Sequence, residues 1–217
     1  AILLHDIGHG PYSHALEHTI VKGVCNEDIS LLFLNKLNNF YKGKLSLAVS
    51  IFKNEYRKPF LHQLVSGQLD LDRLDYLSRD SFFTGVTEGV IGYERIISML
   101  EVSNGNLVIE EKGIYSVEKF LIARRLMYWQ VYFHKTSISA QNLIAKILQR
   151  AKELTDRGEE IFATPALKFF LKNEFSSKDF ENNPEVLEQF SQLDDFDIFS
   201  SVKEWKKNSD KILSRLS

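Results

Sequence analysis

The residues of this chain best suited to chemistry stand at its start, in His5-Asp6-Ile7-Gly8-His9-Gly10-Pro11-Tyr12-Ser13-His14. His5, Asp6, His9 and His14 fall close together in a chain that holds six histidines in all. Imidazole with carboxylate suits Zn, Fe, Mn or Ni, while Mg favours the oxygen ligands. An adjacent His-Asp pair reaches one ion when the local backbone turns both side chains inward. Gly8, Gly10 and Pro11 supply backbone for such a turn. The competing use of these residues is plain: solvent-exposed histidines at the C-terminus of a helix, near its dipole.

Further along lies Gly67-Gln68-Leu69-Asp70-Leu71-Asp72-Arg73-Leu74-Asp75-Tyr76-Leu77-Ser78-Arg79-Asp80. Leu69, Leu71, Leu74 and Leu77 mark a buried side. Asp72, Tyr76 and Asp80 are spaced by four and share one helical face, with Arg73 beside them. Such a face offers a metal ligand, then a cation and a hydroxyl for phosphate, then an acceptor for a sugar hydroxyl. A solvated acidic face with internal Asp–Arg pairs is the alternative. A third stripe, Arg124, Tyr128 and Tyr132, repeats the spacing and is followed by His134-Lys135. Tyrosines at helical spacing are more often core than site, so the stripe decides nothing alone.

The elements that must carry these side chains read mostly as helix. Residues 26–40 are apolar on nearly every side and predict a helix buried in the core. Lys42-Gly43-Lys44 breaks it. A second helical stretch runs from about Pro59, through an interruption at Gly67, to Asp80. Asn104-Gly105 is a turn dipeptide, and Asn106–Glu110 followed by Lys112–Tyr115 predicts a short hairpin. Ser116 is placed to cap a long helix reaching Leu154, with Leu143, Ile147, Ala151 and Leu154 as its apolar stripe. Thr155 to Gly158 ends that helix. Beyond Glu159, Thr164-Pro165, Asn182-Asn183-Pro184 and Asp194-Asp195 punctuate shorter helices. The expected fold is mostly α with one small hairpin: a core over residues 1–155 and a C-terminal helical accessory region, for packing or assembly, over residues 156–217.

Composition narrows the setting. Twenty-seven basic residues face 29 acidic ones, so no large net field favours nucleic acid or an anionic membrane. The single cysteine, Cys25, forms no intramolecular disulfide and suits a reducing cytoplasm. No run of 18 apolar residues predicts a membrane span, and the opening Ala1-Ile2-Leu3-Leu4 is too short for a signal peptide. With no initiating Met and a motif beginning at residue 5, the chain is expected to lack its original N-terminal part.

The first two segments together resemble the HD superfamily of metal-dependent phosphohydrolases. The runs His5–His14, Gln68–Tyr76 and Arg79-Asp80 are similar to the dNTP triphosphohydrolase (dGTPase-like) branch, and Asp80–Val86 extends the bacterial version of it. The resemblance covers residues 1 to about 155. It implies a helical HD-domain bundle in which His5, Asp6 and Asp72 hold a divalent metal (Mg, Mn, Fe, Ni or Zn). It implies that His9 and His14 lie beside the α-phosphate, His14 as general acid for the leaving nucleoside oxygen, and that Asp70 lies near the metal or its water. Arg73 and Tyr76 would meet phosphate and Asp80 the ribose 3′-hydroxyl. In the long helix, Arg124 would meet the γ-phosphate, with Tyr128 and Tyr132 packing on base or sugar and Lys135 adding charge. The implied partners are a dNTP substrate and further copies of the chain, as a dimer or tetramer. Members of the branch often bind single-stranded nucleic acid as well, a reading to which the near-neutral charge lends little support.

Two departures from the pattern accompany the resemblance. The branch has a first metal-binding histidine upstream of the His-Asp pair, and the residues before His5 include none. The branch also carries His-Glu where this chain has Asn26-Glu27, with Glu17 at the position of the acid that holds that histidine. Glu27 keeps the acid; Asn26 can hydrogen-bond but cannot shuttle a proton. The readings that follow are hydrolysis of dNTPs, phosphohydrolase or phosphodiesterase action on another nucleotide such as a cyclic dinucleotide or alarmone, and non-catalytic nucleotide binding.

Overall fold

The computed structural model describes residues 1–12, 19–21 and 23–217. Among them it is mostly α, with twelve α-helices and one two-stranded antiparallel hairpin, as expected. The chain divides into two compact units, Ala1–His5 with Leu37–Ile138, and Asp6–Lys36 with Ser139–Ser217. Among the described residues no helix is long and apolar enough to cross a membrane.

Helix α1 (Asn26–Phe40) confirms the first helical prediction but corrects its burial. Asn26, Ile29, Ser30, Phe33 and Leu34 form its buried side, whereas Phe40 is largely exposed. Helices α2 (Ser46–Phe52) and α3 (Phe60–Gln63) follow. Helix α4 (Leu71–Thr84) runs one turn past Asp80. Asp70 caps it by accepting from the Arg73 amide at 2.8 Å, and Gly85, in the left-handed region at φ 72°, ends it. Its buried residues Leu74, Leu77 and Ser81 keep the helical spacing.

After α5 (Tyr93–Ser98) the hairpin differs from its prediction. Strand β1 (Leu100–Ser103) precedes the Asn104-Gly105 turn and β2 (Asn106–Ile109) follows it, with Leu100 opposite Ile109 and Ser103 opposite Asn106. Asn104 and Gly105 both have positive φ (51° and 80°), the requirement of a two-residue turn whose twist matches antiparallel strands. The stretch expected as the second strand is instead helical. A 3-10 turn over Glu111–Gly113 leads into α6 (Ile114–Met127), which starts two residues before Ser116. Gly113 is required there, because a Cβ would stand 2.8 Å from Ile109 Cγ2.

The long helix expected to Leu154 is interrupted. Tyr128–Tyr132 form a π turn, with the Phe133 amide donating to the Tyr128 carbonyl at 2.7 Å, and α7 (Lys135–Asp156) then begins. Within the first unit, Leu74 and Leu77 of α4 pack with Phe120, Ala123 and Met127 of α6. That packing places the remaining faces of α4 and α6 side by side.

In the second unit, the helices α8 (Pro165–Lys172), α9 (Ser177–Asn182), α10 (Pro184–Ser191), α11 (Asp195–Trp205) and α12 (Lys211–Leu216) close over one core with α1 and α7. The α7 stripe Ile147, Leu148, Ala151 and Leu154 is buried in it, among Phe170, Phe180, Phe190 and Trp205. Burying each such side chain contributes about 1.5–3 kcal/mol. Lys152, also buried, donates to the carbonyls of Leu171 (2.9 Å) and Asn173 (3.3 Å), satisfying the open C-terminal end of α8.

Candidate functional site

The residues singled out in the sequence divide between the two units. In the first, a short 3-10 turn (Ile2–Leu4) delivers His5. His5 Nδ1 lies 2.7 Å from the Ile2 carbonyl oxygen, an acceptor only, so Nδ1 carries the proton. In the neutral ring Nε2 then presents its lone pair, and it stands 3.9 Å from Asp72 Oδ1. A nitrogen lone pair facing a carboxylate oxygen is an arrangement that a cation between them stabilises. Two ligands each about 2.1 Å from one ion lie at most about 4.2 Å apart, which this spacing satisfies. The donor set therefore fits a divalent metal, and the bond from Nδ1 to a backbone carbonyl is the support that metal-bound histidines usually have. Asp72 sits in the first turn of α4, where the helix dipole favours its negative charge.

Two residues before it, Asp70 is nearly fully buried, and both of its oxygens are engaged. Oδ1 accepts from the Arg73 amide, and Oδ2 from the Gly67 amide (3.1 Å) and from Arg73 Nε (3.0 Å). Asp70, expected beside the metal, is thus placed as the cap of α4 and the anchor of Arg73. Arg73 Nε also donates to the Gly67 carbonyl at 2.9 Å. Fixing Nε in this way orients the outer nitrogens of the guanidinium. Burial lowers the proton affinity of Arg73, but the bond to Asp70, the Asp70 charge and the neighbouring Tyr76 and Tyr128 together more than offset this, and it stays charged.

The α4 and α6 faces meet in an aromatic and cationic cluster. Tyr76 and Tyr132 pack edge to face at 6.0 Å between ring centroids, as do Tyr128 and Tyr132 at 5.2 Å. The Arg124 guanidinium lies 5.7 Å from the Tyr128 ring centroid, within cation–π reach. Burial raises the Tyr76 phenol above its ordinary value and Tyr128 adds to this, while Arg124 and Arg73 pull it down. The Tyr132 hydroxyl donates to Asp80 Oδ2 at 2.6 Å. Burial first, and that bond second, push the Tyr132 phenol far above its ordinary range. Lys135 opens α7 and is exposed.

In the second unit, Asp6 follows His5 directly, and its Oδ1 lies 3.4 Å from His9 Nε2. His9 Nδ1 is 3.3 Å from the side-chain nitrogen of the buried Asn26. An amide donor at Nδ1 makes that nitrogen the acceptor and leaves the ring proton on Nε2, toward Asp6. Asn26 therefore serves as a hydrogen-bonding partner of His9. Glu27 is exposed and accepts from the Cys25 thiol, which raises the thiol pKa. His14 and Glu17 lie outside the described residues.

Gly8 explains part of the motif's spacing. Its amide donates to Ser30 Oγ at 2.9 Å, and a Cβ would stand 2.3 Å from the Ser30 nitrogen and 2.4 Å from the Asn26 carbonyl. Any side chain there would push the segment carrying Asp6 and His9 away from α1. Sequence reasoning missed that contact, and it also missed a cavity of about 710 Å³ in the first unit. Its lining includes Gln63, Ser66, Gln68, Arg73, Leu107 and Val117. Gln63, with bonds to the Asn106 side chain (3.1 Å) and the Leu107 amide (2.7 Å), ties α3 to β2. These walls come from separate elements and leave no local pattern.

Comparison with known proteins gives the following likenesses. Residues 91–164, which carry the hairpin, Arg124, Tyr128, Tyr132 and Lys135, match the family described as the HD associated region. A crystal structure of a phosphohydrolase from Bacteroides thetaiotaomicron is 62% identical, with a TM-score of 0.95 over 99% of this chain and 53% of that one. The likeness supports an HD-superfamily phosphohydrolase. The Bacillus subtilis protein YwfO is 34% identical over 100% of this chain and 49% of its own length. The Dictyostelium discoideum deoxynucleoside triphosphate triphosphohydrolase SAMHD1 homolog is 27% identical over 73% of this chain and 34% of its own. The chain thus spans about half the length of YwfO and of the Bacteroides protein.

Proposed function

We propose that this chain is the catalytic part of a metal-dependent phosphohydrolase that cleaves deoxynucleoside triphosphates to deoxynucleoside and inorganic triphosphate. The observation that carries the reading is the 3.9 Å approach of His5 Nε2 to Asp72 Oδ1, with His5 Nδ1 held by the Ile2 carbonyl. Beside Asp72 on α4 lies a cationic and aromatic face of a kind that suits a nucleoside triphosphate. The name of the Dictyostelium relative supports the substrate class.

His5, Asp6 and Asp72 would hold the metal, which when bound polarises phosphoryl oxygen and makes water a stronger nucleophile. Water attacks the α-phosphorus, and the bond from that phosphorus to the nucleoside 5′-oxygen breaks. The leaving oxygen takes a proton, for which His14 is the proposed donor, and the proton lost by water balances it. Arg73, anchored through Nε, and Arg124 neutralise the triphosphate, with Lys135 adding charge at the start of α7 and Tyr76 offering its hydroxyl. His9 presents a proton at Nε2 beside Asp6, and Asp80 accepts from the sugar 3′-hydroxyl. Because Arg73 is anchored through Nε and Arg124 lies against the Tyr128 ring before substrate arrives, the two stabilise developing charge with little reorganisation.

The test is incubation of full-length protein with each dNTP and Mn or Mg, measuring nucleoside and triphosphate release, beside Asp72→Ala. Release by the wild type and none by Asp72→Ala is expected. Tight dNTP binding without product would replace the enzyme by a nucleotide-binding regulator, and product from Asp72→Ala would overturn the metal assignment.

A further inference from the structure

Asp195 is the first residue of α11, yet the cap of that helix is its neighbour Asp194. Asp194 Oδ1 accepts from the Phe196 amide at 2.8 Å and the Asp197 amide at 3.1 Å. The Asp195 carboxylate reaches elsewhere: Oδ1 accepts from the Tyr12 amide at 2.8 Å, across 183 positions of sequence. Both residues belong to the second unit.

Tyr12 is where the His9-Gly10-Pro11-Tyr12 stretch needs such a hold. Its φ is 50°, in the left-handed region, and a residue with a side chain stays there only where its surroundings keep it. Pro11 has no amide to donate, so Tyr12 offers the next backbone handle. At the other end of the stretch the Gly8 amide donates to Ser30 Oγ at 2.9 Å. His9 stands between these two ties, its ring 3.4 Å from Asp6 Oδ1 and 3.3 Å from the Asn26 side-chain nitrogen. A peptide tied at Gly8 alone can pivot there, and the second tie at Tyr12 removes that freedom.

We infer that Asp195 is a positioning residue: by holding the Tyr12 amide it fixes the backbone from Gly8 to Tyr12, and with it the place of His9 beside Asp6. The inference rests on the hydrolase reading, in which His9 presents a proton at Nε2. It gives the C-terminal helices a part in the site beyond packing or assembly. The ordinary use of an acid in the first turn of a helix is to complement the helix dipole. That use depends on the charge, so asparagine would fail as alanine does. Holding an amide needs only an acceptor oxygen, which asparagine supplies at the same reach.

The experiment takes full-length protein as wild type, Asp195→Ala and Asp195→Asn, and measures kcat and KM for a dNTP with Mn. Hydrogen exchange of the peptide containing the Tyr12 amide, read by mass spectrometry, needs no turnover. Asp195→Ala is expected to lower kcat by about tenfold, part of the 10²–10⁴-fold that a well-placed proton donor contributes, with KM close to the wild-type value. Its Tyr12 amide should exchange about tenfold faster, the effect of losing one hydrogen bond to a charged group. Because Asp194 keeps the cap, the melting temperature should stay near that of the wild type. Asp195→Asn should restore both kcat and the slow exchange. An unchanged kcat in Asp195→Ala, or an Asp195→Asn as slow as Asp195→Ala, overturns the inference. If the wild type releases no product the hydrolase reading fails, and the exchange measurement still decides whether Asp195 holds the stretch that carries His9. Wild-type exchange of the Tyr12 amide in Asp195→Ala overturns the inference whatever the activity.

Discussion

His5 Nε2 stands 3.9 Å from Asp72 Oδ1 because each is held from behind by a different device. The Ile2 carbonyl fixes the imidazole, and Asp70, by capping α4, fixes the turn that carries Asp72. The two residues lie far apart in sequence, with α1, α2 and α3 between them, so their approach is a property of the fold and not of a local motif.

Gly8→Ala tests why the motif spaces Asp6 and His9 with glycine. The added methyl would meet the Ser30 nitrogen and the Asn26 carbonyl at under 2.5 Å, both backbone atoms of α1 that cannot swing aside. Overpacking of this kind costs about 1–3 kcal/mol. The expected outcome in a urea titration is a lower midpoint with unchanged slope, accompanied by loss of hydrolysis because Asp6 and His9 move. An unchanged midpoint would contradict the contact.

Arg124→Ala should lower kcat/KM for a dNTP by about 10²–10³-fold, the usual effect of removing one preset charge contact. Arg124→Lys should recover only part of it, because lysine lacks the planar fork. Steady-state kinetics with Mn checks both. A loss confined to stability, with kcat/KM intact, would place Arg124 in packing against Tyr128 alone.

Several of these features are legible in the sequence and others are not, for physical reasons. Asp72, Tyr76 and Asp80 share a face because helical periodicity guarantees it. The Asn104-Gly105 turn is equally local, yet its first strand lies before it and not after, since pairing depends on which flank finds register. The helix Ser46–Phe52 escapes notice because Leu45 gives it no side-chain cap. The π turn at Tyr128–Tyr132 inserts a residue into an otherwise regular stripe, a change of phase that apolar spacing does not announce. Asn26 reads as a lost histidine in sequence, and only the tertiary structure shows it bonded to His9.

Acid stability of the second unit offers a test away from the site. The Arg150 guanidinium, bonded to Asp210 through Nη2 at 2.6 Å and Nε at 3.2 Å, and then the Leu213 amide hold the Asp210 carboxyl down to about 2. A carboxylate whose folded value is depressed contributes stability above its unfolded value, about 3.9, and loses it as pH falls toward the folded one. Stability should therefore drop from about pH 4 to about pH 2 in the wild type. Asp210→Asn should flatten that part of the profile, as read from melting temperature against pH. Parallel profiles for the two proteins would count against the pair.

Metal binding by the full-length protein reaches the central claim most directly. Manganese titrated into wild type, His5→Ala and Asp72→Ala, with bound metal read by mass spectrometry and affinity by calorimetry, separates ligands from bystanders. Each substitution should weaken binding by more than about a hundredfold, beyond the roughly 10–100-fold that loss of an outer support costs. Unchanged stoichiometry and affinity in both variants would contradict the metal centre.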